Sequence, residues 1–132
     1  MGKINKAELI AAAATARQGS VSPYSRFKVG AALLAADGTV ITGANVESAS
    51  FGLTCCAERV ALFKALTDGK RTFTAIAIVA RATSGAMPCG ACRQLLAEYA
   101  PNALVLVADS SRLKHLREFR VKELLPGAFT SF

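Results

Sequence analysis

Four residues in two short segments define the chemistry this chain can offer: Cys56-Ala57-Glu58, and Pro88-Cys89-Gly90-Ala91-Cys92 with Arg93-Gln94 behind it. Both segments stand where loop-like sequence runs into a helical pattern. Zinc binds a thiolate rather than a thiol, and the free N–H groups and positive dipole end of a helix N-terminus favour the ionised sulfur. Cys89 and Cys92 are three residues apart, so a first helical turn sets them on one face. Cys56, opening another helix, supplies a third ligand. Three protein ligands leave one tetrahedral position for water, which separates a catalytic from a structural zinc site. Glu58 lies two residues beyond Cys56, close to the metal without having to ligate it. A carboxylate there can take a proton from activated water and deliver it elsewhere.

Other uses of the same cysteines are weaker. Free cysteines pack well in cores, but packing alone gives this pattern no purpose. A four-cysteine structural zinc needs Cys55, yet consecutive helical residues point ~100° apart and are poorly placed to share an ion. A Cys89/Cys92 redox pair leaves Cys56 and Glu58 unemployed.

The elements that must hold these groups follow from the pattern. Asn5 and Glu8 have the form of an N-terminal capping box, with an Ala-rich helix over 6–18 and Gly19 behind it. Residues 20–25, with Pro23, read as a loop. Alternation of Phe27, Val29, Ala31 and Leu33 predicts a strand, Asp37-Gly38 a hairpin turn, and 39–43 its return strand. Residues 45–54 read as a loop and 56–66 as a helix ended by Gly69. The apolar runs 73–80 and 104–108 predict buried strands, with a helix over 90–99 between them and a short one over 121–125, stopped by Pro126-Gly127. A hairpin followed by alternating helices and strands predicts an α/β fold, a mixed sheet with helices packed on it.

A length of 132 residues suits one domain over 1–132, able to bury about two-thirds of its unfolded surface. Hydrophobic residues at 52% and charged residues at 19% exclude a disordered chain. No segment approaches the ~18 apolar residues of a membrane span. The apolar stretch 9–16 runs into Arg17-Gln18-Gly19 rather than a small-residue cleavage site, so the expected location is the cytoplasm. A Cys-x-x-Cys without a secretion signal favours metal over disulfides. The balance of 16 Lys+Arg against 9 Asp+Glu gives a net charge of +7. Its densest stretch (Arg112, Lys114, Arg117, Arg120, Lys122) is diluted by Glu118 and Glu123 and reads as a solvated face, with His115 on the surface.

A Cys-x-Glu joined to a Pro-Cys-x-x-Cys is the zinc-deaminase arrangement, with Cys56 where His often stands. The chain resembles the cytidine deaminase family in its small homotetrameric class. Five ordered blocks between Val21 and Phe129 carry the likeness: residues 24–33 (Tyr-Ser-Arg-Phe-Lys-Val-Gly-Ala-Ala-Leu), 43–47 (Gly-Ala-Asn-Val-Glu), 56–59 (Cys-Ala-Glu-Arg), 88–94, and Leu124-Leu125-Pro126. Phe51 stands where a Tyr is common, Met87 where a Ser is common, and Ser48 ends a loop that often closes on Asn. The resemblance implies a three-layer α-β-α fold on a mixed five-stranded sheet, and one zinc per chain on Cys56, Cys89 and Cys92. It implies Glu58 as proton shuttle, Asn45 and Glu47 on the ribose, Phe27 on the pyrimidine ring, backbone near Ala57 on the base, and Arg59 bonded to the zinc thiolates. It also implies a homotetramer in which Phe129 reaches a neighbouring subunit's pocket.

The implied activity is hydrolytic deamination of cytidine and 2′-deoxycytidine to the uridines and ammonia, in pyrimidine salvage. Deamination of cytosine within RNA or DNA, or in a cytosine nucleoside antibiotic, shares the same core. The Asn45/Glu47 pair argues for a closed nucleoside pocket, and no stacking platform for a nucleic acid is evident. A non-catalytic zinc-stabilised module is a further alternative, against which Glu58 argues.

Overall fold

The structure, a computed structural model, describes residues 4–130. The chain runs α1 (Lys6–Ala16), β1 (Val29–Ala35), β2 (Val40–Ala44), α2 (Ala57–Thr67), β3 (Phe73–Ala80), α3 (Gly90–Tyr99), β4 (Leu104–Asp109), β5 (Arg117–Arg120) and α4 (Val121–Leu124). One mixed sheet has the order β2-β1-β3-β4-β5. Only β3 and β4 are parallel, joined through α3; the other neighbours are antiparallel.

Local signals start the elements. Asn5 caps α1 by accepting from Glu8 N–H at 3.1 Å. The helix ends at Ala16 and tightens into a 3₁₀ turn, Arg17–Gly19, where the pattern had suggested continuous helix to 18. In the β1–β2 turn, Gly38 takes φ 91° and Asp37 accepts from Thr39 N–H at 2.9 Å.

The sheet is covered on both faces, which makes three layers. Alternate residues of β3 serve the two cores. Ala75, Ala77 and Val79 meet Leu9, Ile10 and Ala13 of α1, while Ile76 and Ile78 meet Ala61, Leu62 and Ala65 of α2 and Leu96 of α3. This two-sided burial is why the β3 sequence is apolar throughout instead of alternating. The α1 face is floored by alanines, so α1 lies very near the sheet: a Cβ at Gly30 would stand 2.0 Å from the Ala13 carbonyl oxygen. On the other face a Cβ at Gly43 would stand 2.6 Å from Ala57 O and from Ala61 N. Gly43 thus fixes how near α2, with its N-terminal Cys56, approaches the sheet.

The charged side chains of 112–122 are solvated as expected, and the segment also contributes a strand. Arg117–Arg120 forms the edge strand β5 on β4, with Phe119 packed against the core. Period-two patterning could not reveal it, because Arg-Glu-Phe-Arg has one apolar residue. Its charges suit an edge that must not pair with another chain. β1 also begins at Val29, leaving Phe27 in the preceding loop.

The register decides where chemistry can gather. Val29 faces Ala80, Gly30 faces Ala44, and Ala80 faces Asp109. The carboxyl ends of β2, β3 and β4 and the start of β1 therefore share one end of the sheet, the usual end for ligands in α/β folds.

Candidate active site

The two helix N-termini meet at that end. Cys56 is the N-cap of α2 and makes no side-chain cap bond, so its sulfur is free of the backbone. Cys89 caps α3, its sulfur accepting from Cys92 N–H at 3.5 Å. The sulfurs stand 3.7 Å apart for Cys56–Cys89 and 3.5 Å for Cys89–Cys92, and all three lie within 4.8 Å of one another. Tetrahedral zinc with Zn–S near 2.3 Å places its sulfurs ~3.8 Å apart. The trio fits one zinc per chain, with a fourth corner free of protein sulfur. Cys55, a free thiol, is outside the trio.

Electrostatics already favour ionised sulfur. The Cys56 thiol is held down at about 5, first by a hydrogen bond from Cys92 and then, against the cost of burial, by Arg59. The Cys92 thiol is pushed well up, because it donates to the Cys56 thiolate and is buried. Arg59 Nη2 donates to Cys56 Sγ at 3.4 Å and to the Thr54 carbonyl at 3.2 Å, while its buried Nε has no hydrogen-bond partner among the described residues. A guanidinium here offsets the net negative charge of a zinc with three thiolates.

Glu58 is 5% exposed, in the first turn of α2. Burial lifts its carboxyl to about 7, so it can hold or release a proton near neutrality. It lines a cavity of about 180 Å³ together with Cys56, Ala57, Cys89, Phe27 and Asn45; Ile78 and Met87 close the apolar wall. A wider hollow of about 400 Å³, lined by Tyr24, Glu47, Phe51 and Thr54, adjoins it through Thr54, which lines both.

The polar loop is built differently. Asn45 is 8% exposed and ties three segments together. Its Oδ1 accepts from Ser20 Oγ at 2.5 Å and from Val29 N–H at 2.9 Å, and its Nδ2 donates to the Phe27 carbonyl at 2.8 Å. Glu47 Oε1 accepts from Tyr24 N–H and Ser25 N–H, both at 3.0 Å, and its Oε2 accepts from Ser25 Oγ. These bonds hold the Glu47 carboxyl below its ordinary range, with the Ser25 hydroxyl as the leading cause. The loop they brace presents Phe27, just after Arg26, whose φ of 60° is a strained backbone for a side chain of this size. Phe129 is 63% exposed and does not line its own chain's cavity; its carbonyl accepts from Gln94 Nε2 at 2.7 Å.

Cys56, Ala57, Glu58, Cys89, Phe27 and Asn45 therefore converge, with Cys92 and Arg59 around the sulfurs and Glu47 at the mouth. Sequence reasoning missed Ile78 and Met87 as walls, and Arg26 as the bend behind Phe27. Buried strand residues such as Ile78 carry no signal of which pocket they face.

Residues 3–108 match the "Cytidine and deoxycytidylate deaminase zinc-binding region". The cytidine deaminase of Halalkalibacterium halodurans is 55% identical over 123 residues, covering 93% of this chain and 92% of that protein. The crystal structure of cytidine deaminase from Burkholderia pseudomallei superposes with a TM-score of 0.91 at 46% identity, covering 96% of this chain and 100% of that one. A more distant relative, blasticidin-S deaminase from Bacillus cereus, is 30% identical over 114 residues, covering 80% of this chain and 79% of that protein. The chain belongs to the zinc-binding cytidine and deoxycytidylate deaminase family.

Proposed function

We infer that the protein hydrolyses the exocyclic amine of cytidine and 2′-deoxycytidine, giving the uridines and ammonia. One observation carries this reading: three sulfurs stand at zinc spacing, and two of them, Cys56 and Cys89, line the same cavity as the buried carboxyl of Glu58. Cys56, Cys89 and Cys92 hold the metal. Zinc, when bound, supplies the Lewis acidity that makes hydroxide available at neutral pH. Glu58 accepts a proton from the attacking water and gives it to ring N3 as oxygen adds to C4. It then relays a second proton from the added hydroxyl to the C4 amine, which leaves as ammonia. Every proton gained by the ring or the leaving group comes from that water.

The remaining contacts follow from hydrogen-bond capacity. Asn45 has one Nδ2–H left for a ribose hydroxyl, and Glu47 Oε2 keeps lone-pair capacity for another. Phe27, 41% exposed, offers its ring to the pyrimidine, and the backbone at Ala57 is near enough to the metal corner to meet the base. The apolar side chains left open by a lone chain, Phe51 at 79%, Leu53 at 75% and Phe129 at 63%, support association. We assign a homotetramer in which Phe129 completes a neighbour's pocket. A role in pyrimidine salvage in the cytoplasm fits such a substrate, and no described helix is long and apolar enough to cross a membrane.

The test is an absorbance assay on cytidine, 2′-deoxycytidine, a cytosine-containing oligonucleotide and blasticidin S. Turnover of the two nucleosides well above the others supports the reading. Preference for the oligonucleotide or the antibiotic overturns it in favour of that substrate.

A further inference from the structure

The net charge of +7 finds few internal partners. Among the described residues the ion pairs are Lys6–Glu118 and Lys70–Asp37, and neither engages Arg112 or Arg117. Those two arginines of the densest basic stretch line one concavity together with His115. A hollow of about 350 Å³ opens at the ends of β3 and β4, lined by Thr83, Ser84, Asp109, Arg112, His115 and Arg117. Its volume falls within the ~300–1,000 Å³ range of small-molecule sites. We propose that this hollow binds a phosphate monoester, at a site separate from the deaminase cavity.

The donors are arranged for an anion. Arg117 is held in place: its Nη1 donates to the Ser84 carbonyl at 3.3 Å, and its guanidinium lies 5.0 Å from the centroid of the Phe119 ring. One of its five N–H donors is thereby used, which leaves the fork free for oxygen. Arg112 and His115 are set by one tight turn, in which His115 N–H donates to the Arg112 carbonyl at 3.0 Å. Their side chains make no hydrogen bond or ion pair with any described residue. The single carboxylate in the lining, Asp109, is already committed: it accepts from Ser111 N–H at 3.1 Å, and its nearby cation is Arg81. Two guanidiniums, an imidazole and the hydroxyls of Thr83 and Ser84 against one engaged carboxylate favour a dianion. Guanidinium forks pair bidentately with phosphate oxygens, and the two hydroxyls offer donors for the oxygens that remain. The hollow is also roomier than a bare phosphate requires, which argues for an ester.

The loop 81–88 separates this hollow from the deaminase cavity and forms a wall of each. Thr83 and Ser84 line the hollow, and Ala86 and Met87 line the cavity just before Cys89. Gly85, between them, has φ 81°, and a Cβ there would stand 2.6 Å from Val107 Cγ1, so the loop is pressed onto β4. None of the anion donors belongs to the metal corner, so the proposal stands apart from the deaminase reading.

Isothermal titration of the zinc-loaded protein at fixed ionic strength decides it. The probes are inorganic phosphate, adenosine 5′-monophosphate (which lacks a deaminable cytosine) and a single-stranded oligonucleotide. Saturable binding of the monophosphate is expected, tighter than that of inorganic phosphate. Arg112→Gln and, independently, His115→Gln should each weaken it about tenfold, the loss of roughly one charge-assisted hydrogen bond, with melting temperature and cytidine turnover unchanged. Equal affinity for inorganic phosphate and the monophosphate overturns the ester and leaves a plain phosphate site. Absence of saturation by ~10 mM, or binding unaltered in both variants, overturns the site itself. Binding of the oligonucleotide alone overturns the small-molecule assignment.

Discussion

The metal corner and the loop at the cavity mouth both carry polar groups, but they keep them in opposite states. At the corner, Cys56 makes no cap bond, the sulfurs meet mainly one another and Arg59, and Glu58 is buried with its carboxyl lifted to about 7. In the loop, Asn45 and Glu47 already serve the backbone of residues 24–29. The corner leaves its sulfurs for a metal the chain does not itself supply, whereas the loop's polar groups are already bonded within the fold. Substitutions should therefore change chemistry alone at the corner, and chemistry together with stability in the loop.

The largest effect belongs to Glu58→Gln. It should lower kcat on cytidine by at least ~10²–10⁴-fold while one zinc per chain remains bound. Near-normal turnover in that variant breaks the corner half of the comparison. Gly43→Ala comes next. The new Cβ collides with Ala57 and Ala61 backbone, so α2 must back away and carry Cys56 and Glu58 out of register. A displacement of that kind is expected to cost about 10²-fold in kcat/KM, with weaker zinc retention against a chelator. Unchanged zinc retention would show that the near approach of α2 does not set the corner. Asn45→Ala sharpens the loop half: orphaning Ser20, Phe27 and Val29 should cost about 1–3 kcal/mol in denaturant unfolding and also raise KM for cytidine. A higher KM with unchanged stability would make Asn45 a contact residue only.

The smallest effect lies far from both regions. Asp37 is held below the ordinary carboxylate range, first by its 2.6 Å bond to Lys70 and then by Thr39. A depressed carboxyl stabilises the fold above its unfolded pKa and loses that contribution as the pH falls below it. Wild type should therefore melt slightly above Lys70→Ala at pH 7, and the gap should begin to narrow as the pH falls below 3.8, the ordinary Asp value, closing only below the depressed value of the folded state. A gap that does not narrow at all as the pH falls below 3.8 would place the effect outside the ion pair.

What could be read from the sequence was what is encoded locally. The cysteines, their spacing and the helices they cap lie within a few residues of one another, and the apolar runs of β3 and β4 announce burial on both faces. Other features depend on contacts between distant segments. Asn45 became a structural tie only once Ser20 and Phe27 were brought to it. β5 has a single apolar residue and exists through pairing with β4. The basic hollow forms because that sheet end brings residues 83–84 against 112–117. The fifth strand was implied by resemblance to a family, not by periodicity.

The central claim is that three sulfurs hold one catalytic zinc, and metal analysis coupled to turnover tests it most directly. The purified protein should contain one zinc per chain, lose cytidine deamination on chelation, and regain both on adding zinc back. Full turnover in a zinc-free preparation, or zinc that survives simultaneous replacement of Cys56, Cys89 and Cys92 by Ser, would contradict it.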